Sequence, residues 1–410
     1  MSDLLIISGF PDEHFVFCAN TFVYFFVNAI RRYFDTVYVI SPRPYIPRIL
    51  SPLGALIPKV RLRLAARDYA YDNVRVFFPR YRPWAGCLPR ARALRAIYPC
   101  IRRAVERHRL RFDLIHAHLN VSGWYSAQLR KAYGVPSVLT VHDSHDYLTQ
   151  WLESDDPECR EALQGNDVLI RVSPFDIPEI AKVAGADKPI HYIPNGFDAR
   201  FIPEAPRETL RRELGLPLDR PIFVSVARWD RRKDPLILVE ALRRVIAAGR
   251  RPRPMLILVG EDRMHGQIQK AIADAGLGND IRVTGQIPPA DVFRHMRSGD
   301  ATLLYSHAEG NPTVMFESLG CGRPYVGSDV GGVRAILTDP RLGLYGPPKD
   351  VDALVGLIER AIDTKWDEAF IREHARQYTW DAIARLRIWA SSIVFPGWIR
   401  VSWVINPFRT

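Results

Sequence analysis

Short runs of β-branched and other apolar residues alternate with longer amphipathic segments along almost the whole chain. The alternation breaks once, near residue 200, and then starts again. In the first half the runs are Leu4–Ser8, Thr36–Ile40, Val74–Phe78, Leu114–His118, Ser137–Val141 and Val168–Val172. Most are apolar at successive positions rather than at every second one, as befits strands buried on both faces. Strands of that kind, separated by helices, form a parallel sheet covered on both sides. The clearest helix is Arg90–His108. Its Leu94, Ile97, Ile101 and Val105 share one face and its arginines the other, with a bend expected at Pro99.

After the interruption at Pro203 and Pro206, strands are expected at Ile222–Ala227, Met255–Val259, Ile281–Thr284, Ala301–Tyr305 and Tyr325–Gly327. Helices follow them at Pro235–Ala248, Gly266–Ala275, Pro289–Met296, Thr313–Cys321 and Val351–Asp363. A chain of 410 residues suits two cores of about 200 residues each. The sequence therefore predicts an α/β protein of two doubly wound, Rossmann-like domains, residues 1–200 and 201–377. Ligands in such sheets sit beyond the carboxyl ends of the strands, at helix N-termini, which points to a cleft between the domains.

The longest apolar run, Thr21–Ile30, is half the ~20 residues a membrane span requires. The chain opens on the strand Leu4–Ser8 with no basic leader or small-residue cleavage site, so a cytoplasmic protein is expected. Five scattered cysteines, with no CxxC pair, fit neither a disulfide framework nor a thiolate metal site and read as reduced, buried thiols. Charge is uneven. Residues 1–130 hold 20 Lys+Arg against 8 Asp+Glu, and 19 of those 20 are arginine. Arginine forks two phosphate oxygens at once, so an anionic partner is expected: a membrane surface, a lipid-linked phosphate or an acidic glycan. Nucleic acid is not expected, because no recognition motif accompanies the charge. Trp398, Trp403 and Phe408 with Arg400 and Arg409 in the tail read either as an interfacial membrane contact or as a segment packing on the first domain.

Three constellations carry chemistry. In Ser225–Asp234 a buried strand ends at Arg228, and Lys233 stands at the mouth of the next helix. Two cations so placed can clamp one diphosphate. In Glu309–Glu317, Asn311 is suited to N-cap a helix and Pro312 to its first position. Free amides at Thr313 and Val314, with the helix dipole, make an anion site. Glu309 in the loop and Glu317 on the helix would repel a phosphate, so sugar and ribose hydroxyls are their suitable partners. Thr140–Asp143 ends a strand with His142, which is placed to face the cleft. His116 and His118 share one face of a strand, but no third ligand stands near, so no metal site is expected.

Taken in order, these elements resemble the GT-B-fold retaining glycosyltransferases of family 4, the group 1 glycosyl transferases. The resemblance is strongest from Ile193 to Glu359. It runs through Pro194–Asp198, Ala227-Arg228 to Lys233-Asp234, Leu258–Asp262, Ile281–Gly285, the Glu-x7-Glu element Glu309 to Glu317, Gly320–Pro324 and Asp329–Val333. It implies a transferase that moves a sugar from a nucleotide diphosphate sugar, UDP or GDP, to a glycan or lipid-linked acceptor, with retention and without a metal or other cofactor. Arg228 and Lys233 would neutralise the diphosphate, and Glu309 would hold donor-sugar hydroxyls. Amides of Asn311, Thr313 and Val314 would close on the sugar and β-phosphate. Glu317 would hold the ribose, Gln286 and Ile287 would meet the base, and His142 would stand beside the reaction centre. The segment 378–410, with the helix Trp380–Ile393, resembles the one that returns to the first domain in this fold. The chain departs from the pattern after its first strand. There Ser8-Gly9-Phe10-Pro11 and Ala19-Asn20-Thr21-Phe22 replace a Gly-Gly loop, and amides of Asn20 or Thr21 are left to do its work. A nucleotide-sugar epimerase, a sugar phosphorylase and a non-catalytic binding subunit are the competing readings. The last fits poorly with an intact Arg228, Lys233, Glu309 and Glu317.

Overall fold

The structure, a computed structural model, describes residues 2–13, 20–45, 67–154 and 156–392. Cys18, Ala19 and the aromatic tail from Phe395 to Thr410 lie outside the described residues. The chain divides into two compact units, Met1–Ile193 with Ile383–Thr410, and Pro194–Ala382.

The first unit holds β1 (Asp3–Ile7), β2 (Thr36–Ile40), β3 (Arg43–Pro44), β4 (Tyr69–Tyr71), β5 (Val74–Phe77), β6 (Arg80–Tyr81), β7 (Leu114–His118), β8 (Ser137–Val141), β9 (Val168–Arg171) and β10 (Ile190–Tyr192). Eight of them form one sheet in the order β10-β9-β8-β7-β1-β2-β5-β4, and β3 pairs with β6 alone. Every pair is parallel except β4–β5. The short β4 escapes a reading of periodicity because its three residues turn straight back at Asp72, whose φ is 47°. The helix Arg90–Arg107 buries Leu94, Ile97, Ile101 and Val105 against the sheet and continues through Pro99. Cys100 and Cys159 are buried as expected, whereas Cys87 is exposed.

In the second unit β11 (Ile222–Val226), β12 (Met255–Val259), β13 (Ile281–Gly285), β14 (Ala301–Leu304), β15 (Tyr325–Ser328) and β16 (Gly343–Gly346) form a wholly parallel sheet, order β13-β12-β11-β14-β15-β16. That is the order of a doubly wound nucleotide-binding sheet. Its winding reverses between β11 and β14, so the loops after these two strands flank the crevice where ligands bind.

The units divide at Ile193/Pro194 and Ala382/Ile383 rather than at residues 200 and 377. The reason is visible in the hydrogen bonds of the linker. Asn195 donates its backbone N–H to Asn311 Oδ1 (3.0 Å) and its side-chain amide to the Asn311 carbonyl (2.9 Å). Phe197 N–H donates to the Tyr378 carbonyl, and Trp380 N–H to the Phe197 carbonyl. Both stretches are thereby tied to the second unit. The Phe197 ring fills the space above Gly320, where an added Cβ would lie 2.4 Å from the ring.

Close backbone approach also fixes the strand ends. Gly260, with φ +128°, faces the Ala227 carbonyl, and a Cβ there would stand 1.9 Å from that oxygen. Gly260→Ala should destabilise the second unit by about 2–4 kcal/mol, from positive φ and overpacking together. Gly278→Ala, where a Cβ meets nothing within 4 Å, should be near neutral in the same denaturant titration. Equal stability of the two variants would contradict this packing.

Candidate functional site

The loop after β11 is built as a rigid turn. Asp230 Oδ1 accepts from the N–H groups of Arg232 and Lys233 (3.1 Å each), and its carbonyl accepts from Lys233 and Asp234. Asp234 takes a left-handed conformation, φ 39°, and caps the helix Pro235–Ala247 through Ile237 N–H. His307 Nε2 lies 2.9 Å from the same Asp234 carboxylate, and His307 N–H donates to the Arg232 carbonyl. These bonds lock the β11 loop to the β14 loop. Trp229 is fully buried, and its backbone exchanges hydrogen bonds with Glu261 and Arg263. With Trp229 turned inward, its neighbour Arg228 is exposed.

Glu309 is the centre of the loop after β14. Only 6% of it is exposed. Its Oε1 accepts a short bond from Lys233 Nζ, and its Oε2 lies 3.5 Å from Arg232, whose guanidinium also donates to the Ala308 carbonyl. Lys233 and Glu309 are thus brought together, 76 residues apart in sequence. Arg232 joins them and was missed by the sequence reading, because three consecutive basic residues do not reveal which one turns inward. Arg228 bonds neither partner among the described residues.

The close approach of Gly331 completes this wall. A Cβ on Gly331 would stand 2.4 Å from the Gly310 carbonyl and 2.5 Å from that of Glu309, and Gly332 N–H donates to Gly310 (3.0 Å). The glycine pair of Asp329–Val333 is therefore what lets the β15 loop press on the β14 loop.

The helix Thr313–Gly320 starts one residue differently from expectation. Pro312 occupies the N-cap position, with no side-chain cap. Asn311 is not the cap, because its carbonyl and Oδ1 are engaged with Asn195 instead. Consequently the N–H groups of Thr313 and Val314 donate to no protein acceptor among the described residues, and they stay available beside Glu309 with the positive end of the helix dipole. Glu317 lies farther along this helix, half-buried. No hydrogen bond reaches its carboxyl group among the described residues, and burial pushes its pKa up to about 7. Gln286 is exposed and Ile287 half-buried just beyond β13. The Gly285 carbonyl there accepts from Gly260 N–H (2.9 Å).

His142 belongs to the first unit. It follows β8, half-buried, with its Nε2 3.0 Å from His118 Nδ1 and its ring 4.5 Å from that of Phe22. His116 and His118 stack face to face at 4.4 Å, and His116 Nε2 meets Thr140 Oγ1 at 2.8 Å. Burial pushes the pKa of both rings well below the usual histidine range. Among the described residues no group of three His, Cys, Asp or Glu side chains converges in a way that could hold a metal ion. The histidines form a packed row behind His142. Leu119, between this row and the helix Asn120–Tyr133, holds φ 73° and ψ 151°, a region normally reserved for glycine. Asn20, at the N-terminus of Thr21–Ile30, is left-handed, and its Nδ2 lies 3.5 Å from Ser8 Oγ.

Two doubly wound sheets are thus present, with an acid, two cations and an uncapped helix N-terminus at the switch point of the second. Residues 206–378 match the family described as glycosyl transferases group 1, and residues 19–201 match glycosyltransferase family 4. The chain belongs to this family. It is 30% identical over 329 residues to a Bacillus subtilis (strain 168) protein carrying the name teichuronic acid biosynthesis glycosyltransferase TuaC, covering 79% of this chain and 80% of that one. Its fold is similar to sucrose-phosphate synthase from Thermosynechococcus elongatus (TM-score 0.74, 21% identity, 97% of this chain and 100% of that one). It is also similar to Anabaena HepE in complex with UDP-glucose (TM-score 0.69, 17% identity, 96% and 100%).

Glu317 generates a pH prediction. Its acid is weaker in the folded chain than in the unfolded one, so the folded state keeps the proton longer. Stability should fall as pH rises from about 4.5 through 7, by on the order of 2 kcal/mol after solvent screening. Glu317→Gln should abolish that slope in urea titrations run from pH 5 to 8. A wild-type profile parallel to that of the variant would refute the assignment.

Proposed function

We propose that this chain is a retaining transferase that moves a sugar from a UDP- or GDP-sugar to a glycan or lipid-linked acceptor without a metal. The observation that carries the reading is the buried Glu309 carboxylate. It is held by Lys233 and flanked by Arg232, beside uncapped helix amides at the switch point of the second sheet. Two resident cations and two unpartnered amides suit a diphosphate, and a nearly buried carboxylate suits the hydroxyls of the attached sugar.

In this reading donor binding exchanges partners. Lys233 passes from Glu309 to the β-phosphate, Arg228 closes on the diphosphate from solvent, and the amides of Asn311, Thr313 and Val314 meet its oxygens and the sugar. Glu309, released, accepts from donor-sugar hydroxyls. Glu317 accepts from the ribose, whose hydroxyls supply the donors its carboxyl group lacks in the free chain. Gln286 and Ile287 lie against the base. The bond from the anomeric carbon to the β-phosphate oxygen breaks while the acceptor oxygen bonds to that carbon from the same face. The acceptor proton passes to the leaving diphosphate. Positive charge fixed in place before the bond breaks is the main catalytic effect. His142 in the first unit is proposed to take part in transfer.

The acceptor end of the proposal includes an anionic membrane surface. The first unit exposes Trp84 and Tyr45, each by about half, together with Arg82, Arg92 and Arg95, and Arg90 lies 5.1 Å from the centre of the Tyr147 ring. The proposed attachment is peripheral, on the inner face; among the described residues no helix is long and apolar enough to cross a membrane.

Lys233→Ala and Glu309→Ala should each lower UDP or GDP release with an acceptor extract by roughly 10²–10³-fold, with chelator present throughout. Undiminished release in both variants would defeat the site. The nucleotide that raises the melting temperature most identifies the donor base, since ligand at 100 times its Kd adds about 2.7 kcal/mol. Cosedimentation with phosphatidylserine vesicles should weaken from 50 to 500 mM salt, at about 1 kcal/mol per engaged arginine at low salt. Equal binding to neutral vesicles would contradict the surface proposal.

A further inference from the structure

The strand β9 reads Val-Leu-Ile-Arg and lies between β8 and β10, where apolar residues are the rule. Yet Arg171 is 0% exposed. Its Nε donates to Asp176 Oδ2 at 2.8 Å, Nη2 makes a short bond to the same oxygen, and Asp176 is 2% exposed. The other arm of the guanidinium does something different. Nη1 donates to the carbonyls of Val141 (3.0 Å) and Asp143 (2.8 Å), the two residues that bracket His142. Register explains the reach, since Arg171 pairs directly with Val141 across β8–β9.

Stability alone does not account for this arrangement. A buried ion pair exchanged for apolar side chains of similar volume is often as stable or more so. What the exchange would remove is a planar donor that fixes two carbonyls at once. The segment is pinned from two other directions as well. Asp143 Oδ2 accepts from Asn120 N–H (3.3 Å), and His118 Nδ1 meets His142 Nε2 (3.0 Å). The Asp176 carboxylate is itself braced by His145 Nδ1 at 2.5 Å. The backbone on either side of residue 142 is thus held by Arg171, and its ring meets His118 and Phe22.

We propose that Arg171 is a positioning residue for glycosyl transfer. It holds the Val141–Asp143 backbone and so aims the His142 ring, without touching substrate. The inference rests on the reading that His142 takes part in transfer. His118 is the companion that fixes the rotation of the ring, and Asp176 keeps the guanidinium in its plane.

Two variants of the full chain test it. Arg171→Lys keeps the charge and loses the fork, while the double variant Arg171→Met with Asp176→Leu removes both charges and retains bulk. Each should lower kcat by about 10²-fold, the usual effect of misplacing a group by an ångström, and leave the Kd for UDP or GDP unchanged. The ¹⁵N resonances of the His142 ring should move. In a His142→Ala background the Arg171 changes should lower kcat no further. An equal loss in both backgrounds, or His142 resonances that stay put, would overturn the positioning role. Full kcat in His142→Ala alone would instead remove His142 from transfer and the catalytic half of the inference with it. The resonances would still report separately whether Arg171 holds the ring. Near-UV circular dichroism matching wild type for Arg171→Lys guards against a fold defect.

Discussion

The short contact between Lys233 and Glu309 is the interaction on which the second unit's site depends. It closes a bond between two loops that follow β11 and β14, the strands where the sheet reverses its winding. A carboxylate as buried as Glu309 is costly unless paired. Lys233 supplies that pair from one loop, Arg232 adds a second cation, and Gly331 permits the β15 loop to press against the peptide that carries the acid. The site is therefore held in shape before any ligand arrives, by the same charges that are proposed to meet the donor.

That economy explains the unusual start of the Thr313–Gly320 helix. An asparagine before Pro312 would ordinarily be spent on capping. Here Asn311 is spent on Asn195, which ties the linker to the second unit, and the first-turn amides are left without a cap. An uncapped helix start costs about 1 kcal/mol, and in this position it leaves donors for an anion. The same logic applies to Glu317. It lacks hydrogen-bond partners among the described residues and is pushed towards neutrality by its surroundings, which suits a ligand that brings hydroxyl groups.

Much of this was legible in the sequence. The unbroken apolar runs Leu4–Ile7 and Met255–Val259 marked β1 and β12, because a strand buried on both faces needs no polar side to interrupt it. The order of Lys233, Glu309 and Glu317 carried the site, since the turn and helix signals around them fix where each falls on its loop or helix. Other features were not legible, for physical reasons. The two-sided strand β9 ends in a buried arginine whose partner, Asp176, lies only five residues on and reads as an ordinary turn. The role of Arg232 depends on Trp229 packing inward, which phases the basic residues after it. His116 and His118 share a strand face, as their spacing showed, but sequence did not reveal that they stack on each other and meet the edge of Phe26 while hydrogen-bonding Thr140 and His142. Asn311 read as a cap because local sequence does not show a partner 116 residues away.

The central claim is that Lys233 changes partner, from Glu309 to a phosphate, when donor binds. Calorimetric titration separates this from a permanent ion pair. Glu309→Gln should bind the nucleoside diphosphate at least as tightly as wild type, because its competitor for Lys233 is gone, while binding the nucleotide sugar more weakly than wild type does. If Glu309→Gln instead weakened nucleoside diphosphate and nucleotide sugar to the same extent, the pair would be structural and the account of the site would be wrong.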